Sequence, residues 1–300
     1  MRELGKIGVY AVTMFVLGCL LAPPLYWLGR WVAASGMLPD LPSMQLAAMP
    51  FARFFNRAVL VAAAVLLWPF ARWMGLKGWT ELGLAPNSKR GLHLGLGLAI
   101  GLSGLWLAAA ARFGLGRATY NEHFSALDLA GAALTAATVA LIEESLFRGA
   151  LLGLLRRSLR WPTALATLSA LFAALHFLKP PPGVSVPAVD WLSGFRLFPS
   201  LFWQYGDPRL VSGGLLTLFL VGVALGYTVV KTRSLYMAIG LHAGWVAGLR
   251  SFRVLTHGAG EPTFWFGQDP LTGLVPVLLM VVTLGLVAWL LERPLLRGAP

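Results

Sequence analysis

Cysteine is all but absent from this chain. Cys19 stands alone in 300 residues, which excludes an intramolecular disulfide and any cysteine-based metal cluster. Charge is scarce as well: 12% of the residues are charged and 57% are hydrophobic, far too little polar surface for a soluble globular protein of this length. Acidic residues are the rarer kind, 12 Asp and Glu against 24 Lys and Arg, for a net charge of +12. In a soluble protein that balance would suggest nucleic acid. Here the Lys and Arg residues mostly punctuate the ends of apolar runs, so they read as topology and lipid headgroup contact, with no nucleic-acid partner. The compact His-Glu-x-x-His zinc motif is missing, as is any internal repeat, low-complexity tract or soluble domain. What is left is an all-α, polytopic membrane helix bundle, read as one integral membrane domain over residues 1–300.

Apolar runs long enough to cross about 30 Å of hydrocarbon lie near residues 7–29, 51–75, 91–111, 127–155, 161–178, 210–230, 234–250 and 271–291. Eight transmembrane helices is the simplest count. Val16-Leu17-Gly18-Cys19, with Arg2 and Lys6 upstream, faintly resembles a lipoprotein cleavage site. The apolar run continues to Trp27, however, and the expectation is an uncleaved first span. The basic loop 77–90 favours a cytoplasmic N-terminus, with Lys77, Lys89, Arg90, Arg156, Arg157, Arg160, Lys231, Arg233, Arg293 and Arg297 inside and Arg53, Arg57, Arg196, Arg209, Arg250 and Arg253 opposite. The expected location is the bacterial cytoplasmic membrane. Glu81-Leu82-Gly83-Leu84 in the basic loop carries no assignable chemistry. The connection 179–209 is rich in aromatics and is expected at the interface, or as a lid over a site.

Scarce as they are, acidic residues occur where a membrane helix should have none. Glu143 and Glu144, with Arg148, sit inside the run 127–155. Each charge near a helix centre costs roughly 2.5 to 3.5 kcal/mol, so together they cost about 8 kcal/mol before any pairing, and function is the default explanation. Residues four apart on a helix lie nearly above one another, which pairs Arg148 with Glu144. Glu143, about 100° round the helix, is left for a different partner and is the better candidate for a general base.

Two intramembrane histidines complete the pattern. Leu171-Phe172-Ala173-Ala174-Leu175-His176 places His176 on the face of Phe172, one turn later. In a hairpin with its tip at Arg156-Arg157-Ser158-Leu159-Arg160, Glu143 and His176 are almost equally far from the tip, so at about 1.5 Å per residue they reach the same level. Gly240-Leu241-His242-Ala243-Gly244-Trp245 supplies the second histidine, flanked by small residues that let a neighbouring backbone approach. His93, His123 and His257 are near span ends and carry no expected role.

Glu-Glu-x-x-x-Arg at Glu143, Glu144 and Arg148, Phe-x-x-x-His at Phe172 and His176, and the His-Ala-Gly-Trp run at His242 resemble the CPBP family. That family groups type II CAAX prenyl proteases with bacteriocin-processing and abortive-infection proteins. The resemblance covers a core of about residues 127–250 and implies an eight-helix intramembrane glutamate-dependent peptidase acting on a membrane-associated protein or peptide. It further implies that Glu143 and His176 activate water, that His242 stabilises the oxyanion, and that Glu144 and Arg148 brace the site beside Phe172. Family members commonly carry Asn or Asp one turn after the last histidine. This chain has Val246 there, and its asparagines are Asn56, Asn87 and Asn121, so the oxyanion role is half-filled.

No cofactor is expected. Glu143, His176 and His242 could nevertheless form a His-His-Glu zinc set with an open water position. The alternative to an enzyme is a non-catalytic scaffold or transporter in which the buried charges only lock helices together.

Overall fold

The computed structural model describes residues 2–206, 208–259, 261, 263–267, 270–293 and 296. The chain is helical nearly throughout: α1 (Arg2–Ala34), α2 (Asp40–Ala47), α3 (Phe51–Trp73), α4 (Arg90–Gly114), α5 (Ala126–Glu144), α6 (Leu152–Leu155), α7 (Trp161–His176), α8 (Ser193–Leu197), α9 (Pro208–Thr232), α10 (Tyr236–Leu255) and α11 (Leu274–Leu291). Between α5 and α6 the helix widens to π geometry over Ser145–Leu151. The described strands, β1 (Ala118–Tyr120) and β2 (Thr256–Gly258), pair antiparallel with Thr119 opposite His257.

Among the described residues six helical stretches are long and apolar enough to cross a membrane: Gly5–Ala34, Phe51–Trp73, Arg90–Gly114, Ala126–Leu155, Gly213–Thr232 and Leu274–Leu291. The expected count of eight added α7 and α10, which are not among the six. With 16 residues, α7 is only about 24 Å long, short of the hydrocarbon thickness. In α10, residues Met237 to Leu241, His242, Gly244, Trp245, Gly248 and Phe252 are all buried. A helix wrapped in protein needs no lipid-facing apolar stripe.

The helices gather into two compact units, one of residues 1–75 with 176–208 and one of 76–175 with 209–300. In the first, α1 and α3 enclose a core of Cys19, Ala22, Phe51, Phe55 and Ala58, completed by Leu197 and Leu201. The segment expected as an interfacial loop is therefore partly helical and lies alongside α1. Trp191 packs edge-on against Trp27 at 5.0 Å, the Gly194 backbone lies on that of Cys19, and Phe198 meets Phe15 at 5.6 Å. Leu197 and Leu201 supply the apolar stripe that holds it there. Asp190 starts this segment: it accepts hydrogen bonds from Leu192 N–H and Ser193 Oγ and pairs with Arg196 at 2.8 Å. Slight desolvation pushes its carboxyl up, but those bonds outweigh it and hold the group below the usual carboxylate range.

In the second unit α4 and α10 pack backbone to backbone. Gly97 and Gly101 of α4 face Gly240 and Gly244 of α10, and a Cβ at Gly97 or Gly244 would stand 2.5 or 2.6 Å from the Met237 or Leu98 carbonyl oxygen. Two small-xxx-small faces thus form one seam, the packing that membrane helices use where lipid supplies no hydrophobic drive. The seam fixes the height and rotation of the helix that carries His242. Glu81-Leu82-Gly83-Leu84 acquires a structural role in the same unit. Leu82 is buried, its carbonyl lies 2.8 Å from where a Gly149 Cβ would stand, Gly83 O accepts from Leu235 N–H at 2.9 Å, and Leu84 O accepts from Tyr236 Oη at 3.1 Å. The motif ties the π segment to the start of α10.

Candidate active site

The second unit brings together Glu143, Glu144, Arg148, Phe172 and His242. A capping box starts α5: Ser125 Oγ accepts from Asp128 N–H, while the Asp128 carboxylate accepts from Ser125 N–H at 3.0 Å. This satisfies free N–H groups at the helix start and fixes its register. The helix then delivers the two glutamates at its last turn, where the π segment begins. Short π stretches recur at functional sites because the extra residue re-aims side chains that a regular helix would stack. Nothing in the residue types of Ser145–Leu151 announces it.

Glu144 is fully buried and occupied on one oxygen by two partners. Arg148 Nη1 donates to Oε1 at 2.9 Å, the i, i+4 pair anticipated from the spacing, and His242 Nδ1 lies 2.7 Å from the same oxygen. Arg148 is held on other sides too. Nη2 donates to Gly222 O at 3.4 Å, and the guanidinium carbon sits 4.4 Å over the Phe172 ring and 5.7 Å over that of Phe147. Such a cation-π stack replaces part of the hydration that a dry guanidinium loses. Phe172 in turn meets Phe147 edge-on at 5.1 Å and His242 at 6.2 Å. The motif phenylalanine is thus the apolar wall of the ion cluster.

Gly222 and Phe147 are participants that sequence reasoning missed. The Gly222 carbonyl is reachable because α9 lies tight on α7: a Cβ at Gly222 would stand 2.8 Å from Ser169 Cα. A glycine in an apolar helix was the only signal available for it.

Glu143 is placed differently. Its side chain keeps 20% exposure, and its Oε2 stands 3.9 Å from His242 Nε2. An oxygen atom about 2.8 Å from both groups fits in that gap. With Nδ1 committed to Glu144, the imidazole is oriented by one carboxylate and presents its other nitrogen to the second, the arrangement by which a buried carboxylate fixes a catalytic histidine.

His176 is the last residue of α7, half-buried, one turn after Phe172. Val246 is half-buried one turn after His242 on α10. The hydroxyl of Thr228, on α9, donates to Leu225 O at 2.7 Å within its own helix. His93, expected to be bland, is buried, with Nε2 3.1 Å from Leu296 O. Among the described residues no group of three or more His, Cys, Asp or Glu is arranged to hold a metal ion.

Residues 125–248 match the family of Rce1-like type II CAAX prenyl endopeptidases. This core is similar to the type II CAAX prenyl endopeptidases. The match begins at the capping serine of α5 and ends three residues beyond Trp245, so every candidate site residue lies inside it. No curated protein and no solved structure matches the chain. The family so matched is one of peptidases of the CAAX protease type.

Proposed function

We propose that this chain is an intramembrane, glutamate-dependent endopeptidase that hydrolyses a peptide bond in a membrane-associated protein or peptide. What carries the reading is the division between the adjacent glutamates: Glu144 is dry and engaged by Arg148 and His242, while Glu143 remains partly exposed beside His242 Nε2. A structural ion network needs one such carboxylate. The second, left accessible, is what water activation requires.

In this reading Glu143 takes a proton from water. The water oxygen attacks the scissile carbonyl carbon, and the charge that develops on the carbonyl oxygen is met by His242 as an imidazolium, which donates Nδ1–H to the Glu144 carboxylate and Nε2–H to the oxyanion. Glu144 holds His242 through Nδ1 and keeps the imidazole aimed as that charge forms. Glu143 then passes the proton to the amide nitrogen, and the C–N bond breaks to leave a carboxylate and an amine. Arg148 and Phe172 act only through Glu144 and His242, as positioning residues. No cofactor is invoked. The enzyme is assigned to the bacterial cytoplasmic membrane with its N-terminus inside, on the bias of basic residues across its spans.

Val246 favours one second reading, a scaffold that keeps the family's ion cluster without its chemistry. The two separate in one comparison of the membrane proteome and of peptide turnover, wild type against Glu143→Gln. The peptidase reading expects cleavage products with the wild type that vanish in a Glu143→Gln protein of unchanged melting temperature. Undiminished cleavage by Glu143→Gln removes Glu143 as the base, and identical proteomes with no turnover by either protein favour the scaffold.

A further inference from the structure

The first unit contains a cavity of about 640 Å³ where the end of α1, the start of α3 and the stretch 180–186 meet, with Tyr26, Arg30, Pro50, Arg53, Asn56 and Pro181 among its walls. This is within the usual size range for ligand sites, and it is larger than a bare inorganic anion needs. Among the described residues no acidic side chain lines it. Arg57 stands one turn beyond Arg53, and its Nη1 donates to Arg53 O at 3.2 Å. Arg30 lies 5.6 Å over the Tyr26 ring. Among the described residues none of these three arginines has a carboxylate partner. Like charges gathered at the ends of two apolar spans repel one another and attract an anion.

The donors suit phosphate in particular. Two guanidinium forks and the Asn56 amide surround the space, and arginine matches phosphate oxygens in pairs. Phe51 and Ala52 also line it, and they open α3 behind Pro50 with no side-chain cap, so the positive end of a 23-residue helix adds its free N–H groups. The level in the membrane points to the source of the phosphate. Arg30 and Arg53 lie at the ends of the spans Gly5–Ala34 and Phe51–Trp73, next to the Trp27–Trp191 pair and to Trp31, which is 57% exposed. Tryptophan at span ends marks the headgroup layer. We propose that this cavity is a phosphate-binding site occupied by the headgroup of an anionic phospholipid. Arg30 and Arg53, which line it, run against the positive-inside bias of the chain because they serve that site.

The full chain in neutral-detergent micelles is titrated with phosphatidylglycerol, with phosphatidylcholine and with inorganic phosphate, following binding and melting temperature. Phosphatidylglycerol should bind and raise the melting temperature more than phosphatidylcholine does. Its apparent Kd should rise at least about ten-fold in Arg30→Gln/Arg53→Gln and stay unchanged in Arg156→Gln, at the tip of the other unit. Binding of inorganic phosphate alone, lost in the same double variant, would keep the site and assign it a soluble phosphate. Equal binding of phosphatidylglycerol by wild type and double variant would overturn the proposal. So would the absence of any wild-type response to either phosphate source, a readout that stands even if the double variant does not fold; Asn56→Ala then supplies the second substitution.

Discussion

Replacing Arg148 by methionine tests the ion cluster most directly, since the chain length is kept and only the charge and its donors are lost. Glu144 is fully buried, so its charge has no water to fall back on. Removing one partner of a buried pair costs about 3 to 5 kcal/mol, because the remaining charge is left in a dry site. His242 Nδ1, at 2.7 Å, still engages the same oxygen, which puts the expected loss near the lower bound, about 3 kcal/mol. Glu144→Gln in the Arg148→Met background removes the stranded charge, and replacing both members of a buried pair by neutral groups is often close to neutral. The double variant should therefore be more stable than Arg148→Met alone. The resulting double-mutant cycle should give a coupling of at least about 2 kcal/mol, within the range seen for residues in contact. The assay is reversible unfolding in mixed detergent micelles followed by far-UV circular dichroism. A single variant within about 0.5 kcal/mol of wild type, the range of an ordinary surface substitution, would refute the reasoning, as would a double variant no more stable than the single.

Gly240→Ala should separate α4 from α10, because the added methyl meets the Leu94 carbonyl; overpacking of this kind costs about 1 to 3 kcal/mol, and peptide turnover should fall with stability since His242 rides on the displaced helix. Val246→Asn should speed turnover, given that a missing oxyanion donor is worth about 2.7 to 4 kcal/mol of barrier; a folded variant no faster than wild type on the same peptide would show that a second donor is not what limits the site. Chelator treatment should leave turnover unchanged and elemental analysis should find no stoichiometric zinc; zinc whose removal abolishes cleavage would reverse the reading of Glu143 as an unassisted base.

The all-helical membrane fold was legible because apolar composition is a bulk property, and a run of some 20 apolar residues admits few structures in lipid. The count of spans was less so. Hydropathy cannot distinguish a helix that faces lipid from one enclosed by other helices, and α10 is enclosed: its glycines lie on α4, while Leu235 and Ile239 pack with Ala140. The aromatic stretch after Pro180 was read as interfacial because its rings stand out in the sequence. What did not stand out is that two of its leucines, Leu197 and Leu201, bury against α1 and α3 and hold it there. Nor could Glu81-Leu82-Gly83-Leu84 be understood in isolation, since its backbone carbonyls serve partners far along the chain, Leu235 N–H and Tyr236 Oη.

Helical periodicity separated the two glutamates, and the environment then amplifies that separation. Neighbours on a helix point about 100° apart, so a site one side chain wide can accept only one of them. Arg148, a turn later, selects Glu144, and Phe172 closes the far face of the guanidinium at 4.4 Å. Once Glu144 is enclosed, the histidine reaching it from α10 can bring only one ring nitrogen to the buried carboxylate. Its other nitrogen must point back toward the more exposed side, where Glu143 stands 3.9 Å away. The spacing of Glu-Glu-x-x-x-Arg therefore fixes which carboxylate is withheld from solvent and which nitrogen of His242 faces Glu143. The sequence could not disclose how the chain holds that arrangement against the cost of two buried charges, Glu144 and Arg148. The π segment, the Gly222 carbonyl and the α4–α10 glycine seam supply that support through backbone atoms, which leave little trace in residue type.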